Sequence, residues 1–97
     1  MIYTLHTKDD LIYAYASFIT VDIDGKPKNE GLYIYVENVW VHNSYRDGKT
    51  LMKLVKGIDK HPECKNAKFV YWRRDKYDRI SRPYLRERFN KELIHHA

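Results

Sequence analysis

The chain has 97 residues, 43% hydrophobic and 32% charged, which excludes a disordered chain and suits one domain over residues 1–97. Its 18 Lys+Arg against 13 Asp+Glu give a net charge of +5, and its one cysteine, Cys64, excludes an intramolecular disulfide or a cysteine-built metal cluster. No apolar run approaches the ~18 residues of a membrane span, and Met1-Ile-Tyr-Thr-Leu-His6 lacks the order of a signal peptide. A cytoplasmic monomer or homodimer with no membrane partner is therefore expected.

The charge is uneven. Residues 1–50 carry 5 Lys/Arg and 7 Asp/Glu, whereas residues 51–97 carry 13 and 6. The positive field of the C-terminal half favours nucleic acid, a phosphorylated cofactor or an acidic protein face.

In chain order, residues 11–23 are rich in aromatic and β-branched types and read as a strand. A helix from the weak capping box Thr7-Lys-Asp-Asp10 to about Phe18 is the competing reading. Asp24–Gly31 is a polar loop punctuated by Gly and Pro. Leu32–His42 is the clearest strand. One parity is Tyr33, Tyr35, Glu37, Val39 and Val41; the other is Ile34, Val36, Asn38, Trp40 and His42. Both are mostly apolar, so cover on both faces is expected. Glu37 and Asn38 break it midway, which is unfavourable unless the polar pair is satisfied or used.

A turn over Asn43–Gly48 leads to a helix over Thr50–Asp59, with Leu51, Met52, Leu54, Val55 and Ile58 at helical spacing. Ala67–Trp72 is the next strand, which makes a right-handed parallel βαβ crossover. Ser81-Arg82-Pro83 opens a predicted helix to about Lys91, with Tyr84, Leu85 and Phe89 inward, and Leu93-Ile94 a short edge strand.

The turn before the helix carries Arg46, Gly48, Lys49 and Thr50. Such turns offer amides and a helix dipole to anions. The spacing is not that of a P-loop, and a plain helix cap or a solvated turn reads equally from these residues.

Val36-Glu-Asn-Val-Trp-Val-His-Asn-Ser-Tyr-Arg46 with its following helix resembles the central strand and pyrophosphate turn of the GNAT acetyltransferases. Tyr84-Leu-Arg-Glu-Arg-Phe89 resembles that family's Tyr-x-x-x-Gly-Phe helix end. The resemblance implies an α/β fold: a small mixed sheet with a central parallel βαβ unit, lacking much of the usual N-terminal and C-terminal elements. It implies an N-acetyltransferase that moves acetyl from acetyl-CoA to an amine acceptor on a protein or small molecule. The backbone at Val39–Val41 would bind the pantetheine arm, and Arg46, Asp47, Gly48, Lys49 and Thr50 the diphosphate. Glu37, nine residues before Arg46, would be the general base and Tyr84 the general acid. This sequence departs from the pattern in several places. Gly follows Arg46 after two residues where the family has three, Thr50 replaces Gly/Ala, Asn43 replaces Pro, and Arg88 replaces the Gly before Phe89.

Each residue also has a structural reading. Glu37 fits a bulged strand, Tyr84 a packing ring, and Cys64 and the five histidines loops or surface without metal spacing. A different function competes too. Arg73, Arg74, Lys76, Arg79, Arg82, Arg86, Arg88 and Lys91 interleave with Tyr71, Trp72, Tyr77 and Tyr84. Cations neutralise phosphates and rings stack on bases, so this segment reads as a non-catalytic face for nucleic acid or an acidic protein. Its structural reading is a solvated helix face.

Overall fold

The hairpin at the N-terminus forms where aromatic and β-branched residues concentrate. The computed structural model describes residues 1–74, 79–80 and 84–86, with side chains for 1–72 and 86. Strands β1 (Ile2–His6) and β2 (Ile12–Val21) pair antiparallel. The turn between them is closed by Thr7 N–H to Leu11 O at 2.8 Å and Leu11 N–H to Thr7 Oγ1 at 3.2 Å. Asp10 takes φ 65°, a left-handed conformation that Asp tolerates. Thr7 thus closes a hairpin, and the helix reading of residues 7–18 is overturned. The strand β1 carries no expectation from the sequence.

Strand β3 (Tyr33–Val41) pairs antiparallel with β2. Ser17 faces Asn38 and Phe18 faces Val36, so Glu37 is an extra residue on β3. This β-bulge changes which side chains share a face. Val36, Val39 and Val41 lie opposite Phe18, Ala16 and Ala14, the fully buried residues of β2. Tyr35, Asn38 and Trp40 share the other face with Ile19, Ser17 and Tyr15. Strict alternation through Glu37 is therefore corrected: the parity switches there.

A 3₁₀ turn, Asn43–Tyr45, leads to α1 (Gly48–Asp59). Strand β4 (Phe69–Arg74) returns parallel to β3. The expected parallel strand–helix–strand unit is present, in a small mixed α/β fold. The helix starts at Gly48 rather than Thr50 because Asp47 caps it, its side chain accepting Thr50 N–H at 2.8 Å.

Two short strands add to the far edge of β4. Strand β5 (Arg79–Ile80) pairs with Arg73–Arg74, and β6 (Tyr84–Leu85) with Phe69–Val70, both antiparallel. The predicted helix from Pro83 is corrected at Tyr84 and Leu85, which are strand. An unpaired β4 edge exposes a row of donors and acceptors, and β6 satisfies part of it. Phe89, Lys91 and Leu93-Ile94 lie outside the described residues.

The core joins one face of the sheet to α1: Ala14, Ala16, Phe18, Ile34, Leu54, Ile58, Cys64, Ala67 and Val70. The helix packs against β1 and β2. Gly57 permits this approach, since a Cβ there would lie 2.1 Å from the Tyr3 ring. The expected helical cover of the second face is not found among the described residues. There, rings pack on rings: Tyr33 stacks on Phe69 with centroids 4.9 Å apart, Tyr35 meets Tyr71 at 5.0 Å, and Tyr15 stacks on Trp40 at 5.9 Å. No helix among the described residues is long and apolar enough to cross a membrane.

Candidate functional site

The pairing of β3 with β4 ends at Val36–Trp72. Beyond it β3 runs on through Glu37–Val41 with β2 as its strand partner among the described residues. Because α1 leans towards β1 and β2, space remains over the parting strands. It is a cavity of about 370 Å³, at the small end of the roughly 300–1,000 Å³ typical of ligand pockets. Leu51, Leu54, Val55 and Ile58 of α1 form one wall; Ala16, Ile34, Val36, Val39, Val70 and Trp72 form the sheet side. Glu37 and Asn38 line it where the strands part, and Asp59 and Arg86 also reach it. The crevice is therefore apolar with polar groups on its rim.

Among the described residues, the edge of β3 away from β2 has no strand partner beyond Val36 and offers backbone groups to this space. His42 N–H donates to Tyr13 O on β2 at 2.8 Å. Successive residues alternate, so the amides of Val41 and Val39 point to the opposite edge. Val41 O there accepts Arg46 Nε at 3.3 Å. The two valines expected to hold a pantetheine arm thus present their backbone on the crevice edge, and Val39 also lines the cavity. Glu37 is exposed at the bulge, its backbone displaced from the regular ladder.

The turn is tied to itself. Ser44 N–H donates to His42 Nδ1 at 3.1 Å, and Tyr45 N–H to His42 O at 2.8 Å. Asp47 N–H donates to Tyr45 O at 2.8 Å. Thr50 is buried, and its backbone and side chain both bond the Asp47 carboxylate. Those bonds, chiefly the backbone N–H of Thr50, hold the Asp47 carboxyl below its ordinary range, with a smaller contribution from the Lys49 charge. Arg46, Gly48 and Lys49 are exposed. The Tyr45 ring packs on Tyr13, centroids 4.3 Å apart, which anchors the turn to β2.

Tyr84 lies in β6, in register with Val70 of the crevice. In the basic segment, Arg73 and Arg74 lie in β4, Arg79 in β5 and Arg86 just after β6, while Lys76, Arg82, Arg88 and Lys91 lie outside the described residues. Arg86 faces inward. Its Nε and Nη2 each lie 2.7 Å from Asp59 Oδ1, Nη2 also reaches Asp59 O at 2.7 Å, and Nη1 bonds the carbonyls of Cys64 and Ala67. It clamps the end of α1 to the following loop, and sequence reasoning placed it instead on a charged face. Cys64 beside it is fully buried, and burial pushes its thiol up to about 11, the opposite of a reactive nucleophile.

The apolar walls of the crevice were legible only as helix periodicity. Asp59 carried no functional signal in the sequence, Trp72 was read only as a ring of the basic segment, and Asn38 only as half of a polar break. Among the described residues, no group of three or more His, Cys, Asp or Glu is placed to hold a metal. No family model and no curated protein matches the chain.

Proposed function

We propose that the crevice between β3 and β4 receives the thioester arm of acetyl-CoA and that the protein transfers the acetyl group to an amine, as a reduced GNAT-like acetyltransferase. The observation that carries this reading is the parting of two parallel strands beside an apolar cavity, with the backbone of Val39 and Val41 on its edge. An extended arm adds to such an edge as a further strand would. Its thioester end would lie beside Glu37, at the bulge.

The chemistry follows from the residue types. The amine nitrogen attacks the thioester carbonyl; a C–N bond forms and the C–S bond breaks. Glu37 takes the amine proton through water, and the departing thiolate takes up a proton to leave as a thiol. Tyr84 is the donor of that proton; its register position opposite Val70 puts its backbone next to the crevice wall.

Thermal unfolding with and without acetyl-CoA tests the binding step, because a ligand held only by the folded state raises its stability. Acetyl-CoA should raise the midpoint of the wild type. Leu51→Trp, at a half-open position on the cavity wall, should remove that rise while the free protein melts as before. No shift at millimolar acetyl-CoA would refute the reading.

A second reading, a basic face for nucleic acid or an acidic protein, is favoured by one observation. Arg74 and Arg79 occupy directly opposed positions of β4 and β5. This register puts two arginines of the basic segment on neighbouring strands, and positive charge concentrated in one segment favours a polyanionic partner. Retention on single-stranded nucleic acid that falls steeply with salt is the expected result; no retention at low salt would remove this reading.

A further inference from the structure

A helix start that grips a diphosphate must present unspent amides and tolerate negative charge. At the start of α1 the Thr50 amide is already spent, and the group it is spent on is a carboxylate. Ser44, Tyr45, Asp47 and Thr50 all give their N–H groups to acceptors within the turn. The acceptor at the first turn of α1 is itself an anion, the Asp47 carboxylate, 2.8 Å from Thr50 N. Thr50, which the family spacing would turn to the ligand, is instead 4% exposed. Arg46, the cation nearest the edge, reaches back to Val41 O at 3.3 Å. Lys49 lies two residues after Asp47, and its charge interacts with that carboxylate.

The crevice is a different environment. Its walls from α1 and the sheet are mostly apolar, and its polar groups are Glu37, Asn38, Asp59 and Arg86 together with the backbone edge of β3. Such a site recognises an uncharged amide-bearing arm and draws nothing from a distant phosphate.

We infer that Asp47 is a specificity-determining residue: it fills the helix start in place of a phosphate, so the protein selects its donor by the acyl-pantetheine thioester alone and accepts donors that lack the nucleotide. This rests on the reading of the crevice given above. It differs from that reading in what it says of the nucleotide half of the donor, which stays in solvent.

Titration calorimetry with acetyl-pantetheine and with acetyl-CoA tests it. The wild type should bind the two within about threefold, whereas a gripped diphosphate would favour acetyl-CoA by about tenfold or more. Asp47→Gly keeps a tolerated cap residue, removes the charge and frees the Thr50 amide. It should tighten acetyl-CoA by about tenfold and leave acetyl-pantetheine unchanged. Asp47→Asn keeps the cap bond and removes only the charge; it should tighten acetyl-CoA less than Asp47→Gly does, and it supplies the comparison if the Gly variant does not fold. A wild type that prefers acetyl-CoA by tenfold overturns the inference and leaves the crevice reading intact. So does an unchanged acetyl-CoA affinity in both variants. Failure of both ligands to bind the wild type overturns the crevice reading, and this inference with it.

Discussion

Gly57→Ala reverses the usual effect of that substitution. In a helix interior Ala is favoured over Gly by about 1 kcal/mol. Here the added methyl would lie 2.1, 2.2 and 2.4 Å from three atoms of the Tyr3 ring. Carbon atoms meet favourably at about 3.5–4.0 Å, so one of the two elements must move by more than an ångström. The ring is stiff, and Tyr3 is paired opposite the fully buried Ala16, so it has little room to yield. Overpacking of this kind costs about 1–3 kcal/mol, and the depth of the overlap places it at the upper end. Net destabilisation is then about 1–2 kcal/mol, which in a domain of this size lowers the melting midpoint by roughly 4–16 °C. Removing the ring with Tyr3→Ala should expose the helix preference alone, so that Gly57→Ala becomes stabilising by about 1 kcal/mol in that background. Urea unfolding of the four proteins measures the coupling directly, expected at about 2–3 kcal/mol. If Gly57→Ala stabilises the wild type, or acts with the same sign in both backgrounds, the close approach of α1 to β1 is not what holds the helix off-centre.

Two further perturbations bear on the clamp beside the crevice. Arg86→Ala removes the guanidinium from the carbonyls of Cys64 and Ala67 and from the Asp59 carboxylate; it should cost about 2–4 kcal/mol in urea unfolding, and Arg86→Lys should recover less than half, since an ammonium lacks the planar fork. A loss under about 0.5 kcal/mol would contradict the bonding described. The Cys64 thiol, pushed up by burial from 9.0 to about 11, keeps its proton in the folded chain where the unfolded chain releases it. The unfolded state therefore binds fewer protons above about pH 9, and stability falls as pH rises through that window, by at most about 1.4 kcal/mol per unit. Cys64→Ala should lose this component while matching the wild-type slope below pH 9; parallel curves through the whole range would contradict it.

Much of the scaffold was legible because local signals and tertiary packing agree. The strand through Tyr33–Val41 and the helix carrying Leu54 and Ile58 have the periodicities their burial demands. Glu37 and Asn38 were visible as a polar break, but not as an insertion, because the face exchange depends on Ser17 and Phe18 across the ladder. The region of Tyr84 and Leu85 has a local helix signal in Ser81-Arg82-Pro83, yet the open edge of β4 claims those two residues for a strand. For the candidate site, Val39, Val41 and Asp47 were named through the family likeness, and the structure puts the two valines beside the crevice and Asp47 at the cap of α1. Its effect there follows from a hydrogen bond to Thr50 that spacing alone does not specify. The width of the crevice was not legible at all, since it follows from Gly57 meeting Tyr3, residues far apart in the chain.

Glu37 has a duty that its carboxylate does not perform. As the extra residue of β3, it acts as a spacer between two stretches of ladder that are out of step. Any side chain can fill that post, but an empty post cannot be filled. Deleting the residue would pull the ladder straight and reverse the allegiance of everything on one side of it: Val39 and Val41 would turn from α1 to the aromatic face, or the whole pairing with β2 would slip. Length at this point is a stricter requirement than chemistry, and a substitution here and a one-codon deletion are injuries of different kinds.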